Sequence, residues 1–393
     1  MTNSRAFDVP LSPELELVLC CSTPAFEDAA RTRAQELLDR ALNWNKFAAL
    51  AFAHGLSPLV YTRLCSAPAF ARHASSLQLK SDARALTQRA LVLTTEMKRL
   101  IPRLEAEGIE TLVLKGPLLA RIVYGDSVLR AFTDLDIMVR PEDVARAWAL
   151  LADEGYTPEY KIAPAHFAAL IAYGNHLPFY GTPNKELVEL HWTFFARSRA
   201  ASFDVQGAWA RREPICFDDT TVMSLAPRDL IHFLCLHGTK HAWSRLSWIT
   251  DLAWFVFRYP DLDWDALLDH ATRLGTRRMT LVGFALAQEL FGLVPSEQIA
   301  QQLCADHAVL TLARWMWQRL LSGEQNLPTG LDLVRLVVRS RERPRDRARD
   351  LYHHVIALRP NNVEDAPASA AFLHTYTLHR LWFLVRKYGR VRV

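Results

Sequence analysis

Residues 112–139 read LVLKGPLLARIVYGDSVLRAFTDLDIMV. The stretch opens on an apolar run, turns at Lys115-Gly116, and continues as a helix-like segment with Pro117 in its first turn. It closes on Thr133-Asp134-Leu135-Asp136-Ile137-Met138-Val139, which reads as a strand. Alternate residues of a strand share a face. Leu135 and Ile137 therefore enter the core, while Asp134 and Asp136 stand side by side on the opposite face. Two carboxylates that close repel each other unless a cation sits between them. The hard divalent ion that prefers oxygen ligands and accompanies phosphates is Mg²⁺. The pattern points to phosphoryl or nucleotidyl transfer.

Outward from this stretch the chain reads as α+β. Residues 12–107 carry apolar side chains at three- and four-residue spacing, as in ELELVLCC, RTRAQELLDRAL and LTTEMKRLIPRLEAEG, with Gly108 as the stop. ETLVLKG is a short apolar strand. PEDVARAWALLADEGY is a helix opened by Pro141, with Glu142 and Asp143 in its first turn. ELVELHWTF alternates strictly: Val188, Leu190 and Trp192 on one side, Leu187, Glu189 and His191 on the other. EPICFDD and TVMSL have strand character, and helical periodicity returns from Pro227 onward. The expected division is an N-terminal helical region over 1–107, a core with a small mixed sheet over 108–224, and a C-terminal helical domain over 225–393.

Composition narrows the classes. Half of the 393 residues are hydrophobic and 22% are charged, enough for a sizeable core. A formal charge of +4 is slight for this length, so nucleic acid is not the expected partner. The six cysteines form no CxxC pair, so neither a zinc site nor a disulfide framework is indicated. No long uncharged apolar run and no signal-like start occur, predicting a cytoplasmic protein without a membrane span. GxGxxG, GxxxxGK[ST], GxSxG and HExxH are all missing.

The ordered set Lys115-Gly116, Arg130, Asp134-x-Asp136 and Val188-Glu189-Leu190-His191-Trp192 resembles the nucleotidyltransferase superfamily with a polymerase-β-like fold. More narrowly, it is similar to an uncharacterised bacterial group with an LKG…R…DxD core followed by an [DE]LHW strand. HGTKHAWSRLSWITDLAW (237–254) resembles that group's helical segment. The resemblance implies NMP transfer from an NTP, with ATP the expected one, to an acceptor of unknown identity. Asp134 and Asp136 would hold one or two Mg²⁺ ions, and Glu189 would be the third carboxylate, as ligand or base. Gly116 would let the backbone approach the phosphates, with Lys115, Arg130 and Lys240 as phosphate contacts. Pro117 departs from the Gly or Ser usual there and offers no N–H.

Each assignment has a structural alternative. Arg130 would equally serve as an ion-pair partner of Asp126 or Asp134, and Glu189 as a salt bridge. His191 reads as a partner supporting the ligand carboxylates or, slightly favoured, as a half-buried histidine, and Trp243 and Trp248 as core. His237 and His241 share a helix face but read as a polar helix end rather than a metal pair. Asp251 is a lone acid among aromatics that would pair with Lys240 or Arg245. The arginines over 339–349 read as a solvated face, since Glu342, Asp346 and Asp350 interleave with them. Two rival functions follow: an inactive module of the same fold that senses a nucleotide or binds a protein, and an RNase using Arg349 and His354.

Overall fold

The computed structural model describes Phe7 and residues 10–356, except 27, 72, 74, 163–165, 182–185, 196–202, 325 and 327. The fold is α+β, as the sequence predicts. Its center is a five-stranded mixed sheet of β1 (Thr111–Val113), β2 (Asp134–Val139), β3 (Tyr156–Pro158), β4 (His176–Gly181) and β5 (Leu187–His191), in the order β1-β2-β5-β4-β3. β2 and β5 run parallel, and the other pairs are antiparallel. A separate hairpin joins β6 (Glu213–Phe217) to β7 (Thr220–Ser224), where EPICFDD and TVMSL suggest strands.

Period-two alternation sorts the sheet into two faces. Val113, Leu135, Ile137, Val139, Leu177, Phe179, Val188, Leu190 and Trp192 all enter one core. The helix Ser75–Ala106 covers that face with Ala90, Leu93, Met97, Leu100, Ile101 and Leu104, and the helix Val144–Asp153 adds Val144, Ala147 and Leu151. The other face gives Leu112, Leu114 and Met138 to a second core. That core is continuous through the N-terminal helices Pro13–Ser22, Trp44–Ala53 and Ser57–Leu64 and the later helices Pro227–Lys240, Leu246–Arg258 and Arg277–Phe291. The polar residues of β2, β4 and β5 therefore look toward a helical layer and not toward open water.

Two strands were not foreseen. β3 is three residues long, too short for a periodic signal, and β4 carries Pro178, which breaks the usual signature of an inner strand. The helix predicted from Pro141 begins as a 3-10 turn, Pro141–Asp143, and ends at Asp153, because Tyr156 joins β3. The arginine-rich stretch is corrected as well. The helix Pro344–Ile356 starts within it, and Arg341, Arg343, Arg347 and Arg349 are tied into the protein, while Arg339 and Arg345 are exposed. Arg341 is fully buried, with Nε 2.7 Å from Asp350 and Nη1 donating to the Gly275 carbonyl. Arg343 donates to the Thr272 and Arg273 carbonyls. Asp350 pairs with Arg341 and Arg349, and Asp346 with Arg349, so these acids are partners of the arginines and not a solvating fringe.

Among the described residues no helix is long and apolar enough to cross a membrane. Several histidines are packed into the helical layer as neutral rings. Burial and Arg245 push His54 down to about 4, and burial and His270 push His232 down to about 3. Below an ordinary value of 6.5 the unfolded chain takes up a proton that the folded one refuses. Stability therefore rises with pH from about 3 to about 6.5, by up to about 1.4 kcal/mol per pH unit for each such ring. In urea titrations at pH 4.5, 5.5 and 6.5, His232→Gln should show a shallower pH slope than the wild type. An unchanged slope would contradict the neutral assignment.

Candidate active site

The acidic pair is placed by the register of its strands. Asp136 of β2 stands opposite Glu189 of β5, and Met138 opposite His191, so Asp134, Asp136, Glu189 and His191 share one face. His176 of β4 pairs with His191 and joins them. At the end of β1 the Leu114 amide donates to the Asp136 carbonyl at 3.1 Å. The chain then turns through Lys115 into the helix Gly116–Tyr124. Gly116 has φ +60°, and an added Cβ would lie 3.3 Å from the Asp134 carbonyl oxygen. Glycine answers the turn here, and the turn brings Lys115 Nζ within 3.2 Å of Asp136 Oδ2.

Asp136 is fully buried. Its Oδ1 lies 3.0 Å from His191 Nε2, which also lies 3.2 Å from Glu189 Oε2. The ligand atoms of Asp136, Glu189 and His191 fall within 4.8 Å of one another. Among the described residues, the partner of Asp136 Oδ2 is the Lys115 ammonium, 3.2 Å away. His176 stacks on His191, with ring centroids 4.9 Å apart and planes at 19°, and its Nε2 is 3.8 Å from Glu189 Oε2.

Charge sets the protonation states. Burial alone would raise Asp136, yet Lys115 and the His191 hydrogen bond hold it well below the usual carboxylate range. Burial and the charge of Asp136 push Asp134 up to about 6. Burial opposes a charged His191, but its bonds to Asp136 and Glu189 outweigh that and raise it. Burial and the His191 charge take His176 down to about 4.

These groups open into a cavity of about 640 Å³. Lys115, Arg130, Asp134, Asp136, Glu189 and Lys240 all line it, while Gly116 lies behind the lining at the turn. The opposite wall comes from the 237–248 segment. Its course depends on two consecutive residues with left-handed backbone, Ala242 (φ 52°) and Trp243 (φ 49°), which turn the chain sharply between its two helices. The Trp243 ring fills the slot left by two glycines: an added Cβ would meet it at 2.6 Å from Gly238 and 2.8 Å from Gly283. Its indole N–H donates to Thr239 Oγ1 at 3.2 Å. The bend sets His237, Lys240, His241, Ser244, Arg245 and Trp248 against the cavity. The His237 and His241 rings lie 4.6 Å apart, on one face as predicted. Trp243 is core as predicted, whereas Trp248 is half-buried and lines the cavity.

Three readings change. Arg130 pairs with neither Asp126 nor Asp134. Its Nε and Nη2 lie 3.0 Å from the Asp251 carboxylate, which also accepts from Tyr124 Oη at 2.8 Å. Asp251 is thereby engaged by Arg130, not by Lys240 or Arg245. His191 links two acids, so of its two readings the supporting one fits the geometry better than the half-buried ring, and its i, i+2 spacing from Glu189 was the available signal. His176 escaped notice because no local pattern marks it, and Arg245, read only as a partner of Asp251, lines the cavity instead. For the RNase pattern, Arg349 is held by Asp346 at 3.2 Å and by Asp350 at 3.5 Å, and the His354 side chain lies outside the described residues.

A family model described as "Uncharacterised nucleotidyltransferase" matches residues 40–292, more than half of the chain. No curated protein matches it. The matched span contains every wall of the cavity, from Phe52 to Trp248.

The buried pair gives a direct stability test. Asp251→Ala would strand the Arg130 guanidinium and should cost about 3–5 kcal/mol. Asp126→Ala removes only a turn contact to the Val128 amide and should cost under about 1 kcal/mol. Chemical denaturation of both variants checks this, and equal losses would contradict the Asp251 pairing.

Proposed function

Because the chain belongs to this uncharacterised nucleotidyltransferase family, we propose that it moves an NMP from an NTP, ATP first among them, to an acceptor hydroxyl and releases pyrophosphate. The observation that carries the reading is the meeting of Asp134, Asp136 and Glu189 beside Lys115 in one deep cavity. Its volume of about 640 Å³ lies within the range of about 300–1,000 Å³ usual for small-molecule sites.

A divalent cation fits the donor set. The buried Asp136 carboxylate lines the cavity, and Glu189 and His191 offer further donor atoms within reach of it. Asp136 and Glu189 would hold the ion with Asp134 alongside. Mg²⁺ is the ordinary choice for carboxylate oxygens, and such an ion orients the triphosphate and offsets the charge of the leaving group.

The chain's own groups do the rest. Lys115 sits against Asp136 and supplies a fixed positive charge where negative charge grows on the phosphates. Lys240 and Arg245, across the cavity, are placed to meet the far phosphates. Arg130 acts mainly through Asp251, holding the helix Leu246–Arg258 against the sheet so that the opposite wall stays in position. In the reaction the acceptor oxygen bonds to the α-phosphorus as the bond to the bridging oxygen breaks. The hydroxyl proton passes to Glu189 or to solvent, and pyrophosphate departs.

One observation favours the rival reading of a nucleotide-sensing module without turnover. Pro117 leaves the phosphate turn short of an N–H, and the Arg130 guanidinium is already committed to Asp251. Calorimetry separates the two, since a sensor binds the NTP without releasing pyrophosphate.

Pyrophosphate release from ATP or CTP, with divalent ion and candidate hydroxyl acceptors, should fall about 1,000-fold in Asp136→Asn. Asp126→Asn, outside the cavity, should leave it unchanged. Equal activity in Asp136→Asn and wild type, with both folded, would refute the assignment.

A further inference from the structure

The donor set differs from the one the sequence suggests in a single atom. Three carboxylates were expected to share the ion. The atoms that converge are instead Asp136 Oδ1, Glu189 Oε2 and His191 Nε2. The nitrogen is the common point, 3.0 Å from the first oxygen and 3.2 Å from the second.

Those distances have a meaning beyond hydrogen bonding. For donor atoms bound at about 2.1 Å and at right angles, neighbours stand about 3.0 Å apart. The two observed separations match the edges of such a shell. The imidazole is also pre-aimed. It stacks on His176 across β4 and β5, with planes at 19°, so its orientation comes from the sheet register and ring packing. The neighbouring Asp136 Oδ2 is buried and faces the Lys115 ammonium at 3.2 Å, which leaves Oδ1 on the His191 side as the oxygen nearest the nitrogen.

We infer that His191 Nε2 is a ligand, with Asp136 and Glu189, and that the site selects an ion of the Mn²⁺ class over Mg²⁺. Mg²⁺ favours oxygen donors and sheds water reluctantly. Imidazole nitrogen suits first-row transition ions. Ion binding replaces the proton on Nε2, which leaves to solvent, and the lone pair then faces the ion. Asp134 remains an outer carboxylate that holds ion-bound water or substrate. The inference rests on the nucleotidyltransferase reading, and adds to it which element occupies the site and which side chain chooses it.

The test is spectroscopic and does not rely on turnover. Full-length protein is titrated with Mn²⁺, with and without a non-hydrolysable ATP analogue, and the free-ion EPR signal gives affinity. Pulsed EPR of the bound ion reads coupling to a ¹⁴N nucleus. The wild type should show one histidine nitrogen and bind Mn²⁺ at least about tenfold more tightly than Mg²⁺ measured by competition. His191→Gln, checked for folding by circular dichroism, should lose the coupling and most of that preference while keeping its Mg²⁺ affinity. Bound Mn²⁺ without nitrogen coupling in the wild type, or the same coupling in His191→Gln, overturns the inference but leaves an all-carboxylate transferase standing. No Mn²⁺ binding in either condition overturns both.

Discussion

A carboxylate with no access to water, that of Asp136, is the constraint around which the site is organised. Burying an ionised acid is costly unless opposite charge and hydrogen bonds replace its hydration. Here Lys115 meets one oxygen and His191 the other. Each compensator depends on a separate part of the fold. Lys115 needs the Gly116 turn after β1, whereas His191 needs β5 to lie parallel to β2 in one register. A slip of one residue between those strands would send Glu189 and His191 into the apolar core and leave Asp136 uncompensated. The sheet topology and the charge cluster thus specify each other.

The cavity exists because the helical layer stands off from this polar face while sealing around it. Apolar packing through the N- and C-terminal helices forms a continuous core beside the sheet. The Arg130–Asp251–Tyr124 cluster pins one helix to the turn before β2. Ala242 and Trp243 hold strained backbone, offset by the fit of the indole between Gly238 and Gly283. The strain is local, and it lies in the segment that presents basic and aromatic side chains to the acids. Such placement is where backbone strain has a functional reason to persist.

How much of this was readable in advance follows from the range of each interaction. β2 and β5 announced themselves because alternation is a local signal, and with them came the acidic face and Glu189. The long helices were equally plain from their spacing. What escaped depends on pairs remote in sequence. A sequence separation of 121 between Arg130 and Asp251 hid that partnership. The burial of Arg341 against Asp350 and the Gly275 carbonyl is invisible in a run that looks like a charged surface. His191 carried a local cue, its spacing from Glu189, but its meaning required knowing that β2 lies next to β5. β3 and β4 were lost to shortness and to Pro178.

The central claim is that an ion and a triphosphate meet between the acidic face of β2 and β5 and the bend at Ala242-Trp243. Crystals grown with Mn²⁺ and a non-hydrolysable NTP, measured at the manganese edge, address it most directly. The account predicts an anomalous peak about 2.1–2.3 Å from oxygens of Asp136 and Glu189, with the triphosphate reaching toward Lys115 and Lys240. A peak elsewhere on the surface, or nucleotide bound away from this cavity, would contradict it.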